Sequence, residues 1–206
     1  SWTCDLTKSD GTWGVGNAAG LRKRPGLQGP IDDAFMDSFV FVEPGSSSSD
    51  PAVQDWFSAE TEHARVHWKK HFRGDVRSVL DAQITDEHVA GSNLVVFGDP
   101  SSNAVLKAIG DRLPIVWNED SIVIGKSTFP SKGHVVAMIY PNPLNPDKYV
   151  VLNSGFTFRE YDYLNNARQT PKLPDWAVID VRGGSTSRNP GKVVAAGFFN
   201  ESWSLE

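Results

Sequence analysis

At the centre of the chain lies the segment Asn93-Leu94-Val95-Val96-Phe97-Gly98-Asp99-Pro100-Ser101-Ser102-Asn103. Its first part is a short, continuous apolar run, which is typical of a β-strand that is covered on both faces. A Gly-Asp-Pro turn ends the run, and Ser101 or Ser102 can cap a following helix. A strand, a polar turn and a helix start form the unit from which open α/β sheets build ligand sites.

Predicted strands and helices alternate along the rest of the chain. Other strands are predicted at residues 39–42, 76–80, 115–117, 121–124, 134–140, 149–152, 176–181 and 192–199, and helices at 50–73, 102–111 and 157–168. The alternation predicts one α/β domain at residues 26–206, a three-layer, doubly wound, mostly parallel sheet of the Rossmann or flavodoxin type. Asp10-Gly11 favours a tight turn, so residues 1–25 are predicted to form a small N-terminal β-hairpin and a linker.

Composition excludes several classes of function. The net charge of −5 and the pI near 5.5 argue against a nucleic-acid partner. The sequence contains no run of 18 apolar residues, so we predict no membrane span. One cysteine, Cys4, allows neither an internal disulfide nor a thiolate metal site, and we expect no cofactor. Because the sequence begins at Ser1, we expect a processed or excised piece of a longer protein.

Two groups of residues have both a chemical and a structural interpretation. Adjacent Asp32 and Asp33 could act as acid and base or bind a cation, but their side chains diverge on a regular backbone, which favours a structural role. His63, His67 and His71 have the i, i+4, i+8 spacing that can hold zinc. They lack the H-E-x-x-H pattern, so a helix edge is the favoured interpretation and no metal site is predicted.

Polar residues follow several of the predicted strands. In parallel sheets, ligands bind beyond the carboxyl ends of the strands, where the strand order reverses. The candidate binding residues are Glu43, Asp99, Ser101, Asn103, Asn142, Asn145, Asn153 and Ser154. The alternative is that these residues only form turns, as Asn, Ser and Asp commonly do.

Nucleophilic catalysis has weaker support in the sequence. Ser154 follows a strand but lacks the G-x-S-x-G elbow, and no histidine follows residue 134. A triad on Ser101 would need His134 as the base and Asp111 or Asp120 as the acid. We therefore predict no catalytic residue in this chain.

Four blocks of sequence resemble a known family. They are Gly26-Leu27-Gln28-Gly29-Pro30-Ile31-Asp32-Asp33-Ala34-Phe35, Phe97-Gly98-Asp99-Pro100-Ser101-Ser102-Asn103, Tyr140-Pro141-Asn142-Pro143-Leu144-Asn145-Pro146 and Asn153-Ser154-Gly155-Phe156. Together they resemble the C-terminal region of large bacterial hydrolases of the prolyl-oligopeptidase and acetyl-esterase type, found in planctomycetes and related bacteria. The resemblance implies an α/β-hydrolase catalytic domain N-terminal to this region and a secreted or periplasmic location.

The expected function is therefore that of an accessory domain of an esterase or peptidase. Its polar crevice would help to position a glycan, ester or peptide substrate. One alternative is an autonomous serine hydrolase that uses the same polar residues. The other is a purely structural domain that docks on the catalytic domain.

Overall fold

The computed structural model describes Cys4, residues 6–16 and residues 20–205. Its strands are β1 Leu6–Ser9, β2 Thr12–Val15, β3 Phe39–Glu43, β4 Ser78–Leu80, β5 Asn93–Val96, β6 Ile115–Trp117, β7 Ser121–Ile124, β8 Ser127–Pro130, β9 His134–Asn142, β10 Asn145–Leu152, β11 Trp176–Asp180 and β12 Lys192–Gly197. Its α-helices are α1 Pro51–Phe72, α2 Asp86–Gly91 and α3 Ala104–Ile109. Short 3-10 turns lie at Ile31–Phe35, Asp81–Gln83, Gly110–Arg112, Glu160–Leu164 and Asn166–Arg168. None of the helices in this described part is long and apolar enough to cross a membrane.

The predicted N-terminal hairpin is present. Strands β1 and β2 pair antiparallel, and the turn between them has positive φ at Asp10 (49°) and Gly11 (80°). Residues 1–3 of the predicted hairpin, together with residues 5 and 17–19, lie outside the described residues.

The core is a seven-stranded mixed sheet with the strand order β12-β11-β9-β10-β5-β3-β4. Strands β10, β5, β3 and β4 run parallel to one another. Strand β9 pairs antiparallel with both β10 and β11, and β11 pairs antiparallel with β12. A separate three-stranded antiparallel sheet is formed by β6, β7 and β8. The predicted mostly parallel, doubly wound sheet is therefore wrong.

Two local features explain this error. Strands β9 and β10 are joined by the tight turn at Pro143 and Leu144, and only antiparallel strands can be joined so closely. The helix predicted at residues 157–168 does not form, and 3-10 turns take its place. Thr157, the first residue of the predicted helix, has a side chain of the kind that caps helices, but its hydroxyl donates to Asp32 (2.5 Å). The connection from β10 to β11 therefore crosses β9 without an α-helix, and β11 runs in the direction of β10; it is antiparallel to β9 because β9 itself is reversed.

The prediction for the central strand is confirmed. All four residues of β5 are buried, and β5 lies between two parallel neighbours, β3 and β10. Leu94 lies opposite Val40 on one side and Val150 on the other. The continuous apolar run is therefore explained by burial on both faces of the sheet.

Helix α1 also begins and ends where the sequence predicts. The Asp50 carboxylate accepts a hydrogen bond from the N–H of Ala52 (2.9 Å), and Pro51 occupies the first helical position. The helix ends at Arg73, whose φ of 62° is left-handed. Its buried side includes Trp56 and Phe57, which anchor the helix in the core.

A buried asparagine joins the parallel and antiparallel halves of the sheet. Asn153 follows β10 in a left-handed conformation (φ 51°) and is 2% exposed. Its amide oxygen accepts from the N–H of Gly98 (2.8 Å), and its amide nitrogen donates to the carbonyls of Gly98 (2.9 Å) and Val136 (3.1 Å). One side chain thus bonds the turn after β5 to a residue of β9.

A buried ion pair joins the segment before β3 to the residue that precedes β11. The ammonium group of Lys23 lies 2.6 Å from the carboxylate of Asp175, which is fully buried. The same ammonium group lies over the ring of Trp203, 5.0 Å from its centroid. The N–H of Lys23 also donates to the carbonyl of Glu201 (2.9 Å). Residues near positions 23 and 201 are therefore parts of one packed unit.

We call the junction between the parallel and antiparallel halves of the sheet the seam. Replacing Asn153 tests how much the stability of this seam depends on the Asn153 amide. Asn153→Ala should lower the free energy of unfolding by about 3 kcal/mol, because the N–H and C=O of Gly98 remain buried without partners. Chemical denaturation measures the loss. The control Asn166→Ala, on an exposed 3-10 turn, should change stability by less than about 0.5 kcal/mol. Equal stability of the two variants would contradict the assignment.

Candidate functional site

A concave site lies where the parallel strands end. In the strand order, the chain leaves β3 for β4 at one end of the sheet, whereas it leaves β5 for β9 in the opposite direction. The connections that follow these neighbouring strands therefore diverge, which leaves a crevice at the carboxyl edge. A cleft of about 800 Å³ opens there.

Four segments form the walls of this cleft. The start of helix α1 and the serines before it form one wall, and the turn after β5 forms the floor. The turn between β6 and β7 and the residues leading into β9 form the other side. Gly98 makes the turn after β5 possible, because its φ is 124° and a Cβ atom there would lie 2.8 Å from the Ser102 hydroxyl.

Asp99 is the centre of the hydrogen bonds on the floor. One carboxylate oxygen accepts from the N–H (2.9 Å) and hydroxyl (2.6 Å) of Ser101 and from the N–H of Ser102 (2.9 Å). The other accepts from the hydroxyl of Ser48 (2.5 Å). Burial alone would raise the pKa of Asp99, but these hydrogen bonds outweigh it and hold the pKa below its ordinary value. Asp99 therefore remains a carboxylate.

Asp50 connects the floor with two walls of the cleft. One of its carboxylate oxygens caps α1, and the other accepts from the N–H of Gly133 (2.7 Å). Its own N–H donates to the hydroxyl of Ser48 (3.2 Å), the same hydroxyl that donates to Asp99. The start of α1, the turn after β5 and the entry into β9 are thus held in one geometry.

The outer wall is a rigid turn with an aromatic side chain at its base. Trp117 is half-buried and precedes Asn118, whose amide oxygen accepts from the N–H groups of Asp120 (3.0 Å) and Ser121 (2.9 Å). The hydroxyl of Ser131 donates to the carbonyl of Asn118 (2.6 Å). These bonds fix the position of the turn relative to the strand entry across the cleft.

Carboxylates outnumber cationic groups around the cleft. The acidic side chains that line it are Asp50, Asp99, Glu119 and Asp120, whereas Lys132 supplies the ammonium group. His134 also lines the cleft, with Nδ1 3.0 Å from the carbonyl oxygen of Lys132. An acidic lining repels phosphate and carboxylate ligands and accepts hydrogen bonds from hydroxyl, amide or amine groups.

The predicted binding residues divide between the cleft and its support. Asp99 and Ser101 line the cleft. Asn103 and Asn153 lie behind the floor and are buried: Asn103 caps α3 and donates to the carbonyl of Phe97 (2.9 Å), and Asn153 joins the sheet. Ser154 is half-buried and donates to the carbonyl of Gly155 (2.8 Å).

Three other predicted residues lie away from the cleft. Asn142 and Asn145 flank the turn between β9 and β10, at the opposite edge of the sheet, because β9 runs antiparallel to β10. Asn142 accepts from the N–H of Leu144 (2.9 Å), and Asn145 donates to the carbonyl of Val89 (3.0 Å). Glu43 forms an ion pair with Arg65 of helix α1. The expectation that all of these side chains meet at one edge is corrected accordingly.

The same strand direction explains why two residues of the cleft were not among the predicted binding residues. Because β9 is antiparallel, its beginning, not its end, lies at the cleft, and this places Lys132 and His134 there. Trp117 reaches the cleft through the small β6–β8 sheet; strands β6 and β7 were predicted, but the position of this sheet beside the cleft was not. The serine run after β3 was visible in the sequence, and Ser48 is its contribution to the floor.

The acidic pair and the histidine row lie outside the cleft, and His67 in the middle of the row is buried, whereas the sequence predicted a helix edge. Asp32 accepts from both the N–H (2.9 Å) and the hydroxyl (2.5 Å) of Thr157, whereas Asp33 accepts from the hydroxyl of Tyr149 (2.5 Å). The rings of the three histidines on α1 lie in a row with neighbouring centroids 4.6 Å apart, the first pair tilted and the second edge-on. Among the described residues, no group of three or more His, Cys, Asp or Glu side chains is placed to hold a metal ion.

Removing the carboxylate of Asp99 tests its role as the centre of the floor. Asp99→Ala should cost about 1–3 kcal/mol at neutral pH, because the hydroxyls and N–H groups bonded to it lose their acceptor. The pKa of Asp99 is lowered on folding, so its contribution is complete above about pH 3.8 and is lost as the pH falls through the folded-state pKa.

Denaturant titrations of the parent and the variant at several pH values measure this difference. Asp55→Asn, at an exposed position on α1, is the matched control and should change the stability at neutral pH by less than about 0.5 kcal/mol. A constant difference between parent and Asp99→Ala down to strongly acid pH would show that Asp99 is not the group that titrates.

Comparisons with protein-family models, with curated proteins and with solved structures find no match to this chain. Its function is therefore argued from the cleft and from the sequence. The resemblance to the C-terminal region of bacterial hydrolases stays a prediction.

Proposed function

We propose that this chain is an accessory, non-catalytic domain of a bacterial esterase or peptidase, and that its cleft binds a neutral, hydroxyl-rich part of the substrate such as a glycan. The observation that carries the proposal is the cleft itself. It lies at the point where the connections after β3 and β5 diverge, and its lining combines carboxylates, serine hydroxyls and a tryptophan.

The size and the shape of the cleft support a small-molecule or oligomeric ligand. Its volume of about 800 Å³ lies within the range of about 300–1,000 Å³ that is common for ligand pockets. The floor is held by the hydrogen bonds from the Ser48 hydroxyl to Asp99 and from the Gly133 N–H to Asp50, so a ligand meets a preformed surface. A preformed surface reduces the ordering cost of binding.

The chemistry of the lining favours sugar hydroxyls. The exposed carboxylates of Glu119 and Asp120 and the hydroxyl of Ser101 can exchange hydrogen bonds with vicinal hydroxyl groups. Trp117 offers an apolar ring beside these polar groups, which suits the C–H face of a sugar. The same carboxylates disfavour anionic ligands.

A non-catalytic role is supported by the hydrogen bonds of the cleft. Ser101, Asp120 and His134 line the same cleft, which is the observation in favour of the alternative, an autonomous serine hydrolase. The Ser101 hydroxyl, however, donates to Asp99, whose low pKa makes it a weak base. The Nδ1 atom of His134 donates to the Lys132 carbonyl, so a serine would have to reach Nε2 to be activated. No serine of the cleft is bonded to the histidine ring, so the nucleophile is not activated.

The hydrolase context comes from the resemblance in the sequence. In that family, an α/β-hydrolase catalytic domain precedes the region that this chain resembles, and the proteins are secreted or periplasmic. We extend both properties to this chain as part of the proposal. The catalytic domain would supply the chemistry, and this domain would retain or orient the substrate.

Binding is tested by titrating the protein with a panel of neutral oligosaccharides and acyl esters in a calorimeter. Trp117→Ala and Asp120→Ala should each weaken binding about tenfold, equivalent to about 1.4 kcal/mol, because each removes one contact of the cleft. Leu144→Ala, at the opposite edge of the sheet, is the control and should bind as the parent does. Absence of binding across the panel would favour the purely structural docking domain.

Catalysis is tested separately with p-nitrophenyl acetate. The isolated chain should show no serine-dependent turnover, and Ser101→Ala and Ser154→Ala should match the parent. Circular dichroism spectra verify that the variants are folded. Turnover that disappears in Ser101→Ala while the fold is intact would establish the autonomous hydrolase instead.

A further inference from the structure

The outer wall of the cleft holds two adjacent, exposed carboxylates, those of Glu119 and Asp120, on the turn between β6 and β7. Neither carboxylate forms an ion pair or a side-chain hydrogen bond with a described residue. The carboxylates of Asp50 and Asp99 differ, because both oxygens of each accept hydrogen bonds from the protein. The negative charge that is open to a ligand therefore lies on Glu119 and Asp120.

Several serine hydroxyls of the cleft are arranged as acceptors. The hydroxyls of Ser48 and Ser101 donate to Asp99, and the hydroxyl of Ser131 donates to the carbonyl of Asn118. A hydroxyl carries one hydrogen, so each of these groups has already used its donor within the protein. What they offer to a ligand is an oxygen lone pair. These hydroxyls therefore favour a ligand that brings its own hydrogen-bond donors.

An imidazole nitrogen points independently to a ligand with donors. His134 is only 6% exposed, yet it lines the cleft. Its Nδ1 atom faces the carbonyl oxygen of Lys132 (3.0 Å), which can only accept, so Nδ1 carries the hydrogen. In the neutral ring Nε2 is then a bare acceptor, and it has no hydrogen-bond partner among the described residues. Such an acceptor, on a largely buried side chain at the border of a cleft, is available to a ligand donor.

A primary ammonium group matches this set of acceptors. It carries three donors, no acceptor and a positive charge, which the open carboxylates of the outer wall attract. Trp117 lies at the base of the same turn, so its ring offers a cation–π surface beside the carboxylates. A neutral hydroxyl can bond the same acceptors but gains nothing from their charge. The lining therefore favours a sugar that also carries amines.

We propose that the ligand of the cleft is an amino glycan, a sugar chain with free primary amines, whose ammonium groups bind the carboxylates of Glu119 and Asp120 and the Nε2 atom of His134. This ligand rests on the proposed function, which supplies the glycan, and it adds the positive charge. The ring hydroxyls remain the neutral, hydroxyl-rich part and contact the serine hydroxyls and Trp117. The amide nitrogen of Asn118 can donate to the same ring hydroxyls.

The test compares two sugars that differ in charge: a short glucosamine oligomer with free amines and its fully N-acetylated counterpart of the same length. Both are titrated into the full chain in a calorimeter at about pH 7, where primary amines are mostly protonated. The free amines should bind about tenfold more tightly, and added salt should reduce this advantage. Equal affinities would overturn the amino glycan and leave the proposed glycan binding intact. Absence of binding by either oligomer would overturn both.

A short lysine peptide separates the two sources of an ammonium group. It offers the same charged donors as the glucosamine oligomer but lacks the ring hydroxyls. Binding that is weaker than that of the glucosamine oligomer supports the sugar, because the hydroxyl contacts are missing. Binding that is tighter would place the amines on a peptide and would overturn the assignment to a glycan.

Variants that change charge but little else locate the amines. Glu119→Gln and Asp120→Asn should each weaken the glucosamine oligomer about threefold to fivefold, as expected for an exposed ion pair, and should leave the acetylated oligomer unchanged. Lys132→Gln should strengthen the glucosamine oligomer, because the exposed ammonium group of Lys132 repels it. Glu87→Gln, exposed on α2 at the opposite edge of the sheet, is the matched control. Equal losses for both oligomers in Asp120→Asn would overturn the role of charge.

The contribution of the imidazole is measured with His134→Phe, which keeps an aromatic ring and removes the Nε2 acceptor. This variant should weaken the glucosamine oligomer about tenfold, as expected for a lost hydrogen bond to a charged group. Circular dichroism verifies its fold, and if it does not fold, the Asp120→Asn result decides alone. A folded His134→Phe variant that binds as the parent does would overturn the assignment of Nε2 to the amine.

Discussion

The amide of Asn153 satisfies polar backbone groups on two sides at the place where the sheet changes from parallel to antiparallel pairing. It bonds both the N–H and the C=O of Gly98 and also the carbonyl of Val136. At the other end of the same strands, buried Asn93 accepts from the N–H of Tyr149 (2.9 Å) and donates to the carbonyl of Ala34 (2.8 Å). In an apolar core, each of these backbone groups would otherwise carry the full cost of desolvation.

This seam determines where a site can form. On its parallel side, the connections after β3 and β5 diverge and leave the cleft. On its antiparallel side, β9 begins at the same edge, so Lys132 and His134 close the cleft opposite α1. The lining is thus assembled from strand ends on one side of the seam and a strand start on the other. A wholly parallel sheet would have presented only strand ends.

Local signals in the sequence predicted the elements well and their arrangement poorly. A few adjacent residues are enough to determine some of the elements, namely the apolar run of β5, the Asp50 cap of α1 and the Asp10-Gly11 turn. The direction of β9 is not determined in this way, because a loop rich in Pro and Asn can end a crossover or close a hairpin. For that reason Asn142 was expected at the cleft in place of His134. Similarly, Thr157 has the sequence of a helix cap, but Asp32, distant in the sequence, takes its hydroxyl hydrogen bond.

The ion pair between Lys23 and Asp175 has a practical consequence for anyone who divides this chain. The segment around Lys23 contributes the cation that neutralises a carboxylate with no exposed surface, and its backbone bonds the carbonyl of Glu201. A fragment that begins at residue 26 would leave that carboxylate buried alone, at a cost of about 3–5 kcal/mol. Such a loss is comparable to much of the net stability of an ordinary domain. Expression boundaries should therefore retain residue 23, and a circular permutant that joins the two neighbouring chain regions would preserve the pair.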